Sequence, residues 1–477
     1  MNRREFVLAS AAAAIAPLAM ALPKSPASPA LPAFPADFLW GVSASAYQIE
    51  GAVSEDGRSR SIWDTFCHAK GHIADNDNAD IACDHYHRYR EDVNLIHQLG
   101  VGTYRFSIAW PRIQPNGRGA PNPKGLDFYS RLIDELLAKG IQPTPTLFHW
   151  DLPQALQDAG GWQNRDTAER FAEYAQIAAT HFGDRVPRWI THNETFEHHA
   201  LGHVMGVHAP GLTLSIPASF PVAHHLLLSH GNAVLALRAT LKHKVPIGIA
   251  QSLSTERPSD PAKDQEAAQL LNLLHWGLHI DPLLLGRYPA ALTAMTDQSV
   301  VHGGDLTTIA QPLDFLGINY YNPQYIRAAP PGSPIPIVEA PAPARFERTQ
   351  MGWPVDPTGL TELLLTLRER YAKALPPIII TENGAAFTDS VVHNAVHDAR
   401  RTAYLDAHVR ALKKAMDAGV DVRGYFVWSI LDNFEWAEGY RPRFGLVHVD
   451  YATQQRIPKD SFHWYRQLIA AQGKVEA

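Results

Sequence analysis

Two glutamates stand where a carboxylate could do chemistry. Glu194 lies in "THNETFE" beside Asn193, and Glu382 lies in "TENG" ahead of Asn383. Each closes a short apolar, β-branched run of the kind that forms a strand, "RWITHNE" from Arg188 and "PIIITENG" from Pro377. Two facing carboxylates with unlike surroundings suit glycoside hydrolysis, in which one is a general acid kept neutral and the other an ionised nucleophile. Arg105 in "TYRFSIAW" could hold one of them charged, and Tyr321 in "DFLGINYY" could donate to the same group. We assign both partners to Glu382 and leave Glu194 as the acid/base. Taken singly, each glutamate also reads as a solvated strand-end residue, with "TENG" a strand followed by an Asn-Gly turn. Asn193-Glu194-Thr195 also spells the N-glycosylation acceptor pattern. An Asn193 directed into a pocket would carry no glycan.

Such residues need elements that bring them together. Eight short runs alternate with helical stretches. They are "DFLWGVSAS" from Asp37, "TYRFSIAW" from Thr103, "QPTPTLFHW" from Gln142, "RWITHNE", "VPIGIAQS" from Val245, "DFLGINYY" from Asp314, "PIIITENG", and "VRGYFVWSILD" from Val422. Between them "RDTAERFAEYAQIAATHFG" sets Phe171, Tyr174, Ala175 and Ala178 on one helical face. Gly100, Gly140, Gly183 and Gly419 fall where helix C-caps are expected. Eight strand-plus-helix units predict a closed (β/α)8 barrel. A doubly wound sheet would show a Gly-rich loop after its first strand, and "GVSASAYQIEG" lacks that spacing. The Pro-rich stretch 327–350 reads as an excursion on the rim.

In a barrel the strand C-terminal ends converge on one face. Gln48 follows the first run, Arg105 lies in the second, and His149-Trp150 end the third. Asn193-Glu194 end the fourth, Asn319 and Tyr321 the sixth, and Glu382 the seventh. Trp428 lies in the eighth, with Glu435-Trp436 just beyond. This convergence, and not any one glutamate, makes chance a poor account of the set.

Composition excludes several classes. The chain is 477 residues, 45% hydrophobic and 19% charged, enough for a large core and unlike a disordered segment. Its net charge is −6 with Lys and Arg dispersed, so nucleic acid is not an expected partner. Eleven Trp suit a core and also sugar rings. Cys67 and Cys83 form at most one disulfide and show no metal pattern. His199 and His203, four apart, lack a third ligand, and read as surface or aglycone-lining residues. No metal or cofactor is expected.

The N-terminus reads as targeting. Arg3-Arg4 precede "EFVL", an Ala-rich run, and Ala19-Met20-Ala21, which resembles a twin-arginine export signal over residues 1–21. The alternative is an uncleaved, frayed terminus on a cytoplasmic protein. Residues 22–36, "LPKSPASPALPAFPA", read as a Pro-rich tether, and 37–477 as the catalytic domain. No later segment is apolar enough to span a membrane. Export implies a periplasmic or secreted protein.

The residues from "FLWGVSASAYQIEG" to "KDSFHWYRQLI" resemble glycoside hydrolase family 1, the β-glucosidases and their relatives. The likeness runs through "YRFSIAWPRI", "FHWDLPQAL", "GVHAPG", "DFLGINYY", "ITENGAAF" and "GYFVWSILDNFEWAEGYRPRFGLVHVD" in order. It implies a cofactor-free, retaining β-glycosidase acting on a small β-glycoside or oligosaccharide. Glu194 matches the acid/base and Glu382 the nucleophile, with carboxyls about 5–5.5 Å apart. Gln48, His149, Asn193, Glu435 and Trp436 match positions that bind the non-reducing sugar, with Trp428 as the floor. Arg105, Asn319 and Tyr321 match supports of the nucleophile, and Phe444 an apolar wall near the 6-hydroxyl. The family usually has Pro and often Trp where this chain has Thr195-Phe196. The change loses a fixed φ and removes an indole N–H near the leaving group.

Rival readings stay open within and beyond the class. Glu435 would repel a 6-phosphate, against a phosphoglycosidase, and a retained Glu194 speaks against a thioglucosidase. A galactosidase- or fucosidase-leaning enzyme and a transglycosylase share every residue above. A sugar-binding barrel without activity would be expected to lack one of the two glutamates.

Overall fold

The computed structural model describes residues 30–472 apart from Pro334. Eight parallel strands close a barrel: β1 Leu39–Ser43, β2 Thr103–Ser107, β3 Gln142–Phe148, β4 Trp189–Asn193, β5 Ile247–Ser252, β6 Phe315–Asn319, β7 Ile378–Asn383 and β8 Val422–Trp428. Each pairs with its sequence neighbours, and β8 closes on β1 in a register that sets Leu39 opposite Gly424 and Ser43 opposite Trp428. All eight strands lie inside the runs read from the sequence, but most stop short of where those runs end. Glu194 therefore sits on the turn that leaves β4, whereas Glu382 lies within β7, one residue before its end.

Helices wrap the barrel because their apolar stripes face it. In α1 (His85–Leu99), α2 (Pro123–Ala138) and α3 (Asp166–Phe182) the buried residues recur at helical spacing. Phe171, Tyr174, Ala175 and Ala178 of α3 are all fully buried, and a side chain the size of Phe171 contributes about 1.5–3 kcal/mol by leaving water. Gly100, Gly140 and Gly419 carry φ of 83°, 73° and 92°, the left-handed turn of a helix C-terminus. Gly183 does not. It remains right-handed at φ −65°, because the chain makes another helical turn, with Val186 N–H bonded to Phe182 O at 3.1 Å.

Ile190, Phe315, Ile379 and Phe426, from β4, β6, β7 and β8, pack into one apolar cluster in the barrel. At Gly41 of β1 a Cβ would lie 2.5 Å from the Phe426 ring, so only glycine lets that ring fill the space. This plug leaves polar side chains at the strand C-terminal ends.

One boundary differs from the sequence reading. The signal segment and residues 22–29 of the tether lie outside the described residues, but the last part of the tether is docked. Phe34 is 9% exposed and packs against Phe38 at 4.7 Å and Trp40 at 5.0 Å, and its N–H donates to Gln472 Oε1 at 3.0 Å. Apolar Phe34 outweighs the flexibility its proline neighbours suggested. The Pro-rich rim stretch contributes to a small sheet: Gln324–Ala328 pairs antiparallel with Ile337–Glu339 and parallel with Glu256–Pro258. Cys67 and Cys83 are both free and buried. Among the described residues no helix is long and apolar enough to cross a membrane.

Candidate active site

The strand ends open into a cavity of about 330 Å³. Glu194, Glu382, His149, Trp150, Asn319, Tyr321, Trp428, Glu435, Trp436 and Phe444 all line it. Three of the turns that deliver these groups hold a non-glycine residue at positive φ: Trp150 at 77°, Glu194 at 49° and Trp436 at 50°. Each such residue costs of order 1–3 kcal/mol, which the surrounding fold must offset.

Glu382, at the end of β7, is 3% exposed. One carboxylate oxygen is paired with the Arg105 guanidinium, and the other accepts from Tyr321 Oη–H at 2.6 Å. Arg105 is itself held: it donates to Asn193 Oδ1 at 2.6 Å and to Thr146 Oγ1 at 3.2 Å. Glu194 follows β4 directly, and its N–H donates to Ala250 O of β5 at 2.8 Å. Its carboxylate receives one neutral donor, Asn319 Nδ2 at 2.7 Å. Thr381 Oγ1 donates to Asn319 Oδ1 at 2.6 Å, which fixes the amide so that its NH2 faces Glu194. The family resemblance placed Asn319 with the nucleophile, and its amide does help lower Glu382; the same amide donates to Glu194 and, at 2.9 Å, to Asn193 Oδ1.

The two carboxyls are electrostatically unlike. Burial pushes Glu194 well above the usual carboxylate range, and the nearby charges of Glu382 and Glu197 push it further. Burial also raises Glu382, but Arg105 and Tyr321 pull it back. When the pair holds one proton, that proton resides on Glu194. The geometry therefore supplies a neutral acid and an ionised carboxylate in one cavity. Tyr321→Phe is expected to lower kcat/KM about tenfold to hundredfold, the worth of one hydrogen bond to a charged group. It removes a donor to ionised Glu382 and so raises that pKa. The acidic limb of the pH–activity profile should move to higher pH, which a kcat/KM profile on one aryl glycoside measures.

The polar wall is built around His149. Burial, with Arg105 nearby, holds His149 well below its ordinary pKa, so the ring is neutral. Its Nε2 meets Asn193 Nδ2 at 3.1 Å, which leaves the proton on Nδ1. Nδ1 is buried and has no protein partner. Glu435 is pushed up to about 8 by burial and by Glu382 and Glu438. Aromatic rings frame the cavity: Trp428 lies nearly parallel to His149 at 5.9 Å, and Trp436 stacks on Tyr47 at 6.1 Å with 7° between planes.

Gln48, Asn193 and Arg105 are brought to the site but do not line the cavity. Gln48 takes Ser45 Oγ–H at 2.6 Å and donates to Phe434 O at 2.9 Å and Glu435 Oε2 at 3.4 Å. It steadies Glu435 from behind. Asn193 is 1% exposed with its amide engaged on both sides, so no glycan attaches there.

Other cavity residues escaped the sequence reading: Glu197, His208, Ser252, Glu339, Met351 and Trp353. Glu197 alone had a signal, lying three residues after Glu194 on α4 (Thr195–His199). It accepts from Ser252 Oγ at 3.0 Å. Phe196 does not line the cavity and stacks instead on His275 at 4.0 Å and 20°. His199 and His203 are also off the cavity. Both are buried, so they are neither surface nor aglycone residues. Among the described residues no group of three or more His, Cys, Asp or Glu is placed to hold a metal.

The family model for glycosyl hydrolase family 1 matches residues 31–474. The chain is 46% identical over 448 residues to β-glucosidase A of Acetivibrio thermocellus, covering 92% of this chain and 98% of that protein. It is 44% identical over 456 residues to a bifunctional β-D-glucosidase/β-D-fucosidase of Bifidobacterium breve, covering 91% and 97%. The structure of a Thermotoga maritima β-glucosidase in complex with deoxynojirimycin superposes with a TM-score of 0.87 at 43% identity, over 92% of this chain and 99% of that one.

Proposed function

The chain belongs to glycosyl hydrolase family 1, and on that premise we propose that it removes terminal β-D-glucosyl residues from the non-reducing ends of β-glucosides, with net retention. It is a β-glucosidase-type glycoside hydrolase. One observation carries the assignment of roles. Glu382 has an ionic and a hydroxyl donor, Arg105 and Tyr321, while Glu194 is buried with one neutral donor, Asn319.

In the first step a Glu382 oxygen attacks the anomeric carbon while Glu194 gives its proton to the departing glycosidic oxygen. The C–O bond to the leaving group breaks as the C–O bond to Glu382 forms. Glu194, now ionised, takes a proton from water, whose oxygen displaces Glu382 from the same face the leaving group left. His149, Glu435 and Trp436 meet the hydroxyls of the non-reducing sugar that bonds to Glu382, and Trp428 lies under its ring. Glu197, Glu339, Met351 and Trp353 complete the cavity wall, Met351 and Trp353 in the same apolar cluster as Trp428 and Phe444.

A glucoside/fucoside-tolerant reading is favoured by the bifunctional relative from Bifidobacterium breve. A panel of 4-nitrophenyl β-glycosides altered at the 2-, 4- and 6-positions tests both readings. The glucoside should be hydrolysed with a kcat/KM at least equal to that of the galactoside, and no turnover of any member would sink the proposal. Cellobiose as donor and acceptor measures the ratio of hydrolysis to transglycosylation. The arginine pair and Ala-rich run support export through a twin-arginine route, with action on cellulose-derived oligosaccharides outside the cytoplasm. Full-length protein retained whole in the cytoplasm on fractionation would reject that part.

A further inference from the structure

Thr195 follows Glu194 and is the first residue of α4. Its backbone N–H donates to Gln251 Oε1 of β5 at 3.0 Å. Gln251 Nε2 then faces the Thr195 hydroxyl at 2.9 Å and donates to it. The hydroxyl proton is left for His279 Nδ1, also 2.9 Å away. His279 Nε2 meets His199 Nδ1 at 3.2 Å, and His199 Nε2 meets Ser219 Oγ at 2.8 Å. Ser219 Oγ–H ends the chain on Ile216 O at 2.9 Å, in the first turn of α5 (Ile216–Thr240).

The Thr195 hydroxyl also lies 3.1 Å from Gln251 Oε1, which already accepts the Thr195 N–H; with the hydroxyl proton on His279 Nδ1, the donors all run in one direction. Burial holds both rings neutral, His199 pushed down to about 3 and His279 well below its ordinary value, so each is one donor and one acceptor. Thr195, Gln251, His279 and Ser219 are fully or almost fully buried, and His199 is 5% exposed. The chain ties the β4–α4 junction to β5, to α5 and to the segment ahead of Asp281–Leu285. That junction holds Glu194 at φ 49°, a conformation a non-glycine residue keeps only when its surroundings impose it. Glu194 has little else to fix its side chain beyond the one bond from Asn319.

We infer that Thr195, His279, His199 and Ser219 form a buried hydrogen-bonded strut whose function is to position the carboxyl of Glu194 for proton transfer. These are positioning residues, acting through the backbone of Glu194 and not on substrate. The inference rests on Glu194 being the acid/base. It predicts an effect that depends on the leaving group, because a displaced acid matters only where the departing oxygen needs a proton.

Thr195→Val keeps the size and the N–H but removes the hydroxyl. It should lower kcat/KM for 4-methoxyphenyl β-glucoside about 10- to 100-fold, the scale of an ångström-sized misplacement, and for 2,4-dinitrophenyl β-glucoside by less than about threefold. Thr195→Ser should restore the poor substrate to within about threefold of the parent, and His279→Phe combined with Thr195→Val should add little to either alone. The ratio of the two kcat/KM values does not depend on the folded fraction, so loss of stability cannot mimic the result. Equal losses on both substrates, or no loss, would overturn the strut while Glu194→Ala still showed the dependence. If Glu194→Ala lacked that dependence too, the assignment of the acid/base would be the part that failed.

Discussion

Glu382→Gly is expected to lower kcat/KM on aryl β-glucosides by about 10⁴–10⁶-fold, the range seen when a nucleophile is removed from residues that act as a unit. Arg105 and Tyr321 converge on Glu382 and would be left facing a void. A small anion should fill that void, held by the same two donors. With azide and an activated β-glucoside the variant should regain turnover and yield the α-glucosyl azide, because azide attacks from the face that Glu382 occupied. Detection of the β-anomer, or full retention of activity, would place the nucleophile elsewhere.

The second large effect is a matched opposite. Glu194→Ala should lower kcat/KM about 10²–10⁴-fold for a poor leaving group such as 4-methoxyphenol, the usual worth of general acid catalysis. For 2,4-dinitrophenol, which leaves without a proton, formation of the glycosyl-enzyme should be nearly unaffected and its hydrolysis slow. Azide should then accelerate turnover and give the β-glucosyl azide, since it attacks the intermediate from the side the aglycone left. The pair of product anomers separates the two glutamates without reference to rates.

The pH dependence follows from the same asymmetry. Activity needs Glu382 ionised and Glu194 protonated. As pH falls through the titration of Glu382 the nucleophile is lost, and as pH rises through that of Glu194 the acid is lost. The profile is therefore a bell. Its upper limb is displaced upward because burial and the charges of Glu382 and Glu197 raise Glu194. The limbs report the pair, not either carboxyl alone. In Glu194→Ala the upper limb should vanish when kcat/KM is followed on the dinitrophenyl substrate, and a persistent upper limb would assign it to another group.

Much of this was legible in the chain because of its periods. Strand-length apolar runs alternating with 3.6-residue stripes on helices, as at Phe171, Tyr174 and Ala178, specify a barrel with little ambiguity. The placement of Glu194, Glu382, His149 and Trp428 at the ends of those runs then follows from topology. What escaped was set by packing. Phe34 lies in a stretch that reads as a Pro-rich tether, yet it docks because its aromatic contacts outweigh local composition, and the strand pairing of Gln324–Ala328 with Ile337–Glu339 within the Pro-rich rim has no local signal. Phe196 sits beside the acid/base in sequence but turns toward His275, while Trp353, far away in the chain, lines the cavity. Helix phase and long-range contact decide such matters, and no short window contains them.

The residue order by itself determined the barrel, the two carboxylates and the class of reaction, because strand and helix periods are local and strand ends must converge. The sequence reading already assigns the proton to Glu194, but only the tertiary structure supplies the contacts that put it there. That depends on Arg105 and Tyr321 reaching Glu382 while Asn319 turns its amide to Glu194, and on the common burial that makes each of those contacts count. It also revealed the path from Thr195 through His279 and His199 to Ser219. Those residues lie up to 84 positions apart, so their meeting is a property of the fold and not of any stretch of the chain.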